Sequence, residues 1–442
     1  MDTAELSPGA LEYAGAPRWS AASRVAFRFC FVYFGFFCLG TQILGGLLPI
    51  PSVDIPDPSV LLPPLRKVVF WVAAHFFHAR LPLVYTNSGS GDKTFDWVLA
   101  FCFLVVAAAA AAVWSVVDRK RENYATLYKW FRVFLRFALA SELLAYGMAK
   151  VIPLQMPFPY LAKLVEPFGN FSPMGVLWAS IGASPAYEVF AGCAETLAGV
   201  LLIFPRTTML GALVCVADMT QVFMLNMTYD VPVKLFSFHL LLMAMFVLAP
   251  DLRRLVDFFF RECAAAAPRR LALFRSRRAN RIALVVQIVY GICLLAGNAY
   301  EARANWHIYG GGSPKSPLYG IWDVKKFAVD GVERSPLLTD YGRFRHAIFD
   351  PADRLSLQRM DDSLARYKAA INSHDKTLTL TKPDDQNWKG EFTFERPVEN
   401  QLVLDGKMDG HRVHMEMQLV DRGQFLLVNR GFHWVQEYPL NR

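Results

Sequence analysis

Four ionisable side chains lie near the middle of four long apolar stretches that follow one another along the chain. They are Glu142, Glu195, Asp218 and His239. Burying a charged side chain at the centre of a membrane helix costs about 2.5–3.5 kcal/mol on an insertion scale, so we expect the four to face one another and not lipid. Carboxylates beside an imidazole or an ammonium group can hold and transfer a proton, which quinone reduction and proton-coupled transport both require.

Other polar residues share helical faces with these four. Residues three or four positions apart on a helix point to the same side, so their spacing predicts which neighbours join the cluster. This spacing selects Lys150 as a fifth member of the intramembrane cluster, and Tyr146, Glu188 and Gln221 as supporting residues toward its outer end. The Glu195 helix also carries small residues on this face, which allow close packing between helices: Ala191, Gly192, Ala198 and Gly199.

The sequence leaves three interpretations of this cluster open. A hydrogen-bonded cluster that only holds four helices together explains the same residues. A quinone-linked redox site and a transport path for protons are the other two. A metal site is not expected, because these helices contain no Glu-x-x-His pair of the di-iron type. In the tail, His411, His414 and the run 430–434 are predicted to be strand residues and not ligands, since no further ligand has supporting spacing.

The composition is that of a membrane protein. The chain is 54% hydrophobic with a mean hydropathy of +0.26, which is too apolar for an ordinary cytosolic protein. The net charge of +8 belongs to the first 300 residues, because the remainder has 20 Lys plus Arg and 20 Asp plus Glu. These charges cluster in short loops, so we do not expect nucleic-acid binding. The seven cysteines form no CxxC motif and none lies in the tail, which excludes covalent haem and a disulfide framework there.

Seven apolar stretches are predicted to span the membrane. They are 29–50, 95–117, 127–150, 185–204, 207–227, 231–248 and 282–299. The stretch 68–77 is too short to span and is predicted to lie in the membrane interface. Arginine and lysine concentrate in the loops after the second and the sixth span, so the N-terminus is predicted to be cytoplasmic and the tail extracytoplasmic.

From residue 300 the periodicity changes to that of β-strands. Alternating runs at 376–382, 391–395 and 424–429 predict half-buried strands. Asp409 and Gly410 separate two further runs and predict a two-residue hairpin turn, because both residues tolerate a positive φ. The expected fold is an antiparallel meander of eight to ten strands that could close into a small barrel. A barrel interior filled by side chains is favoured over one that holds a ligand.

Several of these motifs resemble the DoxX family of bacterial four-helix membrane proteins. The matching segments are Arg136, the run 146–150 that ends in Lys150, the run 191–199 that contains Glu195, and Arg206. The resemblance covers about residues 128–260. It implies a four-helix bundle in a bacterial inner membrane, and membership of a group linked to quinol oxidase and thiosulfate:quinone oxidoreductase complexes. Of the cluster residues, Lys150 and Glu195 match the family pattern, whereas Asp218 and His239 do not.

These observations together predict a membrane helical bundle followed by a β-rich outer domain. The expected regions are a cytoplasmic segment 1–23, a first membrane region 24–127, the bundle 128–260, a basic loop with the last span 261–299, and the outer domain 300–442. The expected function is that of a non-catalytic accessory component in a quinone-linked redox process. Quinone is the one cofactor that this function suggests, and the lipid bilayer and a redox protein are the expected partners. The alternatives are a proton-coupled transporter and a scaffold whose outer domain binds a lipid or a protein.

Overall fold

The computed structural model of the chain describes most of its residues. The described residues are 18–48, 50, 58–261, 272–308, 310–351, 353–385 and 387–441. The predicted cytoplasmic segment is therefore described only from residue 18, and part of the basic loop before the last predicted span lies outside the described residues.

The chain divides into two compact units. The helical unit comprises Met1–Ile152 and Val189–Ala302, and the barrel unit comprises Pro153–Glu188 and Arg303–Arg442. The connection 153–188 thus belongs with the barrel and not, as expected from the sequence, with the bundle 128–260.

The helices are labelled α1 to α14 in chain order. They are α1 Ala21–Gly40, α2 Ile43–Gly46, α3 Pro58–Leu61, α4 Pro63–His75, α5 Thr94–Val117, α6 Ala125–Val151, α7 Leu161–Val165, α8 Pro173–Gly182, α9 Pro185–Ile203, α10 Thr208–Thr228, α11 Lys234–Leu248, α12 Leu252–Phe259, α13 Arg277–Ile308 and α14 Leu426–Asn429.

Six segments of the described chain are helical, long and apolar enough to cross a membrane, so the chain is an integral membrane protein. They are α1, α5, α9, α10, α13 and the stretch Lys234–Phe259 that contains α11 and α12. The third predicted span, α6, is a helix of 27 residues but is less apolar, because it carries Lys129, Arg132, Arg136, Glu142 and Lys150. Every residue from 135 to 144 is nevertheless buried. The polar side chains of this stretch therefore lie inside the unit. They lower the hydropathy of α6, so hydropathy alone does not identify it as a span.

Several predicted boundaries are wrong. The first span was expected at 29–50, but α1 begins at Ala21, where the Ser20 hydroxyl accepts a hydrogen bond from the Ser23 N–H, and it ends at Gly40. The short stretch 68–77 is α4, which begins earlier with prolines in its first turn. The last helix, α13, is longer than the predicted 282–299. Helices α7 and α8 were not expected from the sequence.

Arginines on α6 satisfy the carboxyl ends of two neighbouring helices. The Arg136 guanidinium donates to the carbonyls of Leu202 (2.9 Å) and Ile203 (2.7 Å) at the end of α9. Arg132 donates to the carbonyl of Val247 at 3.0 Å at the end of α11, and to Asp251. The last carbonyl groups of a helix accept no hydrogen bond from within the helix, and lipid tails cannot donate one. The arginines therefore donate the hydrogen bonds that water would otherwise supply.

A carboxylate serves the opposite end of the helical unit. Asp92, just before α5, accepts hydrogen bonds from the backbone N–H groups of Lys234 (2.8 Å) and Leu235 (2.9 Å) at the start of α11. Negative charge is favourable there because of the free N–H groups and the helix dipole. The start of α5 and the start of α11 therefore lie at one end of the unit, and the start of α6 lies at the other.

The barrel unit contains one antiparallel sheet. Its strands are β1 Gly320–Val329, β2 Val332–Glu333, β3 Phe344–Asp350, β4 Arg354–Arg359, β5 Leu364–Asn372, β6 Thr377–Thr381, β7 Lys389–Glu395, β8 Gln401–Met408 and β9 His411–Leu419. From β3 to β9 each strand pairs with the next, and β1 pairs with both β3 and β9. This pairing closes a barrel of eight strands, with β2 paired to the end of β1. The predicted meander and its closure are confirmed.

Side chains fill the barrel interior, as predicted. Buried and exposed residues alternate along β7, as expected for a strand with one face toward a core. The barrel interior is packed with large side chains, such as those of Trp322, Phe327, Phe349 and Leu378. Asp409 and Gly410 both have positive φ and form the expected hairpin turn. The predicted strand at 424–429 is wrong, because Asp421 starts a 3₁₀ turn and α14 follows it. Residues 430–434 are also not a strand.

The connection 153–188 is attached to the barrel by polar contacts. Asp350 accepts hydrogen bonds from the N–H groups of Leu161 (2.9 Å) and Ala162 (3.3 Å), and the Gln358 amide donates to the Val165 carbonyl. Burial raises the pKa of Asp350 above its ordinary value, although both N–H groups oppose this shift. Covering this carboxylate with the connection therefore costs desolvation energy that the two hydrogen bonds offset only in part.

Replacing Arg136 by Gln should destabilise the helical unit by about 2–4 kcal/mol, because two buried carbonyls at the end of α9 lose their donor. The measurement is the midpoint of thermal unfolding in mild detergent, monitored by the reactivity of the buried cysteines. This midpoint should fall by several degrees. Arg206→Gln is the matched control, since Arg206 is exposed, and its midpoint should stay within a degree of the wild type. Equal midpoints for the two variants would show that the Arg136 contacts do not stabilise the helix end.

Candidate functional site

The five residues predicted as one intramembrane cluster fall into three separate groups in the helical unit. Glu142 and Lys150 are both on α6, but eight residues of helix separate them by about 12 Å. Lys150 pairs with Glu195, whereas His239 faces α1. The prediction of a single cluster is therefore wrong. Residues at a similar depth in the membrane can lie on different sides of their helices, and they then face different neighbouring helices.

Lys150 and Glu195 form a buried ion pair between α6 and α9. The Lys150 Nζ lies 2.7 Å from both Glu195 carboxylate oxygens, and the two side chains are only 10% and 3% exposed. Opposite charges at this distance neutralise each other, which makes burial of both tolerable. The arrangement can lock two helices together, and it can also exchange a proton if the pair opens.

Glycines allow α6 and α9 to approach closely beside this pair. A Cβ on Gly147 would lie 2.5 Å from the Thr196 Oγ1, and one on Gly192 would lie 2.7 Å from the Gly147 carbonyl oxygen. The small-residue face predicted on α9 is therefore confirmed as a close helix contact. It positions Glu195 against Lys150.

Asp218, at the middle of α10, is within electrostatic reach of Glu195 and Lys150. Its Oδ2 is buried and has no hydrogen-bond partner among the described residues. Gln221, predicted to support it, is exposed on the outside of the bundle. The structure thus brings together Lys150, Glu195 and Asp218, and it leaves Gln221 out.

Glu188, the other predicted supporting residue, serves the connection between α6 and α9. It is buried, and its Oε1 accepts a hydrogen bond from the Met156 N–H at 2.8 Å. Both residues belong to the barrel unit. This contact indicates a structural role in holding the connection.

His239 on α11 is enclosed by aromatic residues of α1. The Tyr33 hydroxyl lies 2.7 Å from its Nε2, and its Nδ1 lies 2.7 Å from the Leu235 carbonyl oxygen. A carbonyl can only accept, so Nδ1 carries the hydrogen, and in the neutral ring Nε2 accepts from the Tyr33 hydroxyl. The ring of Phe37 stacks on the imidazole with centroids 3.9 Å apart. His239 therefore joins α1 to α11 and does not contact the carboxylates.

Glu142 belongs to a second polar group, which includes a residue that sequence reasoning missed. The Gln42 amide nitrogen donates to the Glu142 Oε2 at 3.0 Å and contacts the Tyr146 hydroxyl at 3.1 Å. Gly46 makes room for this carboxylate, since a Cβ there would lie 2.6 Å from its Oε1. The Gly45-Gly46 pair was the signal in the sequence, because glycine allows another group to approach the backbone closely.

A cavity of about 830 Å³ opens beside Glu142. Its apolar wall includes Phe37, Phe103 and Phe236, and its polar wall includes Gln42, Glu142 and Tyr146. Such a mixture of aromatic surface and a few convergent polar groups is typical of a ligand site. In the described chain, no three or more His, Cys, Asp or Glu side chains are grouped so that they could hold a metal ion.

Sequence comparison finds one uncharacterized relative for this chain. It is 30% identical over 141 residues to the "Uncharacterized protein YwoB" of Bacillus subtilis (strain 168), a match that covers 30% of this chain and 81% of YwoB. No family model matches the chain. No solved structure matches it.

Removing one member of the Lys150–Glu195 pair should destabilise the protein more than removing both members. Glu195→Leu leaves a buried ammonium group without its partner and should destabilise the protein by about 3–5 kcal/mol. The double variant Lys150→Met/Glu195→Leu removes both charges and should recover most of this loss in the same thermal measurement. If the double variant is no more stable than Glu195→Leu, Glu195 does not stabilise the protein through its ion pair with Lys150.

Proposed function

This chain belongs to the family of the uncharacterized protein YwoB, and we propose that its helical unit binds a quinone in the cavity beside Glu142. In this proposal the protein is a non-catalytic accessory component of a quinone-linked redox process. The observation that carries the proposal is the meeting of a carboxylate, an amide and a phenol at the wall of an aromatic cavity inside a membrane protein.

The polar wall has the donors and acceptors that a quinone headgroup needs. Quinone oxygens accept hydrogen bonds, and the hydroxyls of the reduced form donate them. The Tyr146 hydroxyl can donate, and the Glu142 carboxylate and the Gln42 side-chain carbonyl oxygen can accept, whereas the Gln42 amide nitrogen already donates to the other two residues. Since Gln42 contacts both other residues, it holds their side chains toward the same part of the cavity. The three residues therefore suit either redox state of the headgroup.

The apolar wall and the size of the cavity suit a ring with a hydrocarbon tail. Ligand cavities usually measure about 300–1,000 Å³, and 830 Å³ falls in this range. Phe103 stacks on Phe36, and Phe37 is held by its stack on His239. These rings offer fixed flat surfaces against which a planar headgroup can pack.

A bound quinone would supply two-electron, two-proton redox chemistry, with a separate redox protein as the source or acceptor of the electrons. The chain's own contribution is to orient the headgroup and to hold a proton. Glu142 can carry that proton on its carboxylate, and the hydrogen bond from Gln42 keeps the carboxylate in place.

We propose a bacterial inner-membrane location with seven spans, α6 included, and with the barrel unit outside. The start of α1 is joined to the end of α5 by Arg28, which donates to the Asp118 carbonyl at 3.1 Å. Arg132 and Arg136 near the start of α6 reach the ends of α11 and α9. These basic residues lie where the positive-inside bias expects the cytoplasmic ends of the spans. The N-terminus would then be cytoplasmic.

A proton-coupled transporter is the second candidate. It is supported by the Lys150–Glu195 pair together with Asp218, whose buried Oδ2 has no partner among the described residues. Such a group can take up and release a proton during a conformational change. Uptake assays in proteoliposomes would separate this candidate from quinone binding.

The test is quinone binding by the purified full-length chain in lipid nanodiscs. Titration with the short-tailed benzoquinone decylubiquinone should quench tryptophan fluorescence and saturate near one quinone per chain. Tyr146→Phe removes one hydrogen-bond donor and should weaken binding about three- to tenfold. Glu142→Gln should weaken binding of the reduced form most, because the carboxylate accepts from its hydroxyl.

Tyr128→Phe is the matched control. Tyr128 is on the same helix, but it packs between Trp19 and Phe27 and does not line the cavity. Its binding curve should overlay that of the wild type. No saturable binding by the wild type, or equal weakening by the two tyrosine variants, would reject a quinone site beside Glu142.

A further inference from the structure

Gln221 places a side-chain amide on the outer surface of a spanning helix. It is exposed, and α10 has 21 residues, which span about 31 Å, close to the thickness of the hydrocarbon core. Asp218 is the middle residue of α10, so Gln221 lies about 4.5 Å from the helix midpoint. The amide is therefore at the depth of the lipid tails.

No other exposed position at this depth in the described candidate spans has a side-chain amide or a charge. Among the described residues of the candidate spans other than α10, the exposed mid-helix positions are apolar or cysteine, as at Val105 in α5, Leu197 in α9 and Val289 in α13. Gln221 is the one exposed amide or charged group in the central part of these helices. This contrast distinguishes the outer face of α10 from the faces that contact lipid.

The amide needs a partner that lipid does not supply. A glutamine has two N–H donors and a carbonyl acceptor, and no hydrogen bond from the Gln221 side chain occurs within the described chain. Neighbouring Thr220 is also exposed, but its hydroxyl donates to the Val216 carbonyl on its own helix at 2.6 Å. Unpaired polar groups in hydrocarbon are costly, and amides between helices drive association in membranes.

We propose that α10 pairs with α10 of a second copy of this chain, through Gln221 at the centre of the contact. Copies inserted in the same direction are related by a twofold axis along the membrane normal, so both Gln221 side chains lie at one depth. An amide is its own complement, because each copy can donate to and accept from the other. A second copy thus supplies the partner without any further residue type.

The rest of the outer face of α10 fits this contact. Ala217 and Met224 are exposed one turn to either side of Gln221, and Thr228 follows at the same helical spacing. A small residue permits close approach of two helices, and methionine adapts to an irregular surface. The proposed interface is the stripe formed by Ala217, Gln221, Met224 and Thr228.

The test is the dimer dissociation constant of the full-length chain in liposomes, measured by energy transfer between labelled copies at several protein-to-lipid ratios. The wild type should be a dimer of two 49.8 kDa chains. Gln221→Leu should raise the dissociation constant about tenfold, because the paired amides are lost. Thr220→Val is the matched control, and its dissociation constant should stay within twofold of the wild type.

A photo-crosslinking amino acid at Met224 provides a second readout that keeps Gln221 intact. It should join two copies of the chain in native membranes, whereas the same probe at exposed Leu197 on α9 should not. A monomeric wild type at every lipid ratio overturns the proposal. So does a Gln221→Leu variant that associates as tightly as the wild type, or a Met224 crosslink to a different protein in place of a second copy.

Discussion

The constraint on which this structure depends is that a polar group inside a lipid bilayer must find its partner within the protein. One helix, α6, meets most of this demand. Its Arg132 and Arg136 satisfy the ends of two neighbouring helices, and Lys150, near its other end, neutralises Glu195. The helix that carries these charges is therefore an inner one, with every residue from 135 to 144 buried. Its charges are what require it to lie inside.

This arrangement separates two kinds of polar residue that look alike in the sequence. Lys150 and Glu195 neutralise each other beside a close glycine contact, which suits a lock between two helices. Glu142 instead lies at the wall of a cavity, where Gln42 holds it beside Tyr146. The proposed chemistry belongs to the second group, because only a side chain at a cavity can contact a ligand.

The sequence predicted features that depend on local pattern. The Asp409-Gly410 turn follows from the φ angles that these residues tolerate, and the small residues of α9 predict the close approach of α6. The alternating strands predicted the barrel. Each of these signals is contained in a few neighbouring residues, so one sequence is enough to read it.

Features set by tertiary packing could not be predicted in this way. The separation of His239 from the carboxylates depends on which helix packs against α11, and Gln42 joins Glu142 across 100 positions of sequence. The residues 424–429 alternate like a strand, but the barrel is already closed by β9, so they have no strand to pair with. Attachment of 153–188 to the barrel depends on Asp350, whose sequence context gives no indication of that role.

The most direct test of this account asks whether α6 crosses the membrane despite its charges. Single cysteines replace exposed Lys120 before α6 and exposed Phe168 after it, and a membrane-impermeant maleimide is applied to intact cells and to inverted vesicles. The account predicts that the two positions react from opposite sides, Phe168→Cys in cells and Lys120→Cys in inverted vesicles, above the background of the native cysteines. Reaction of both positions from the same side would contradict it.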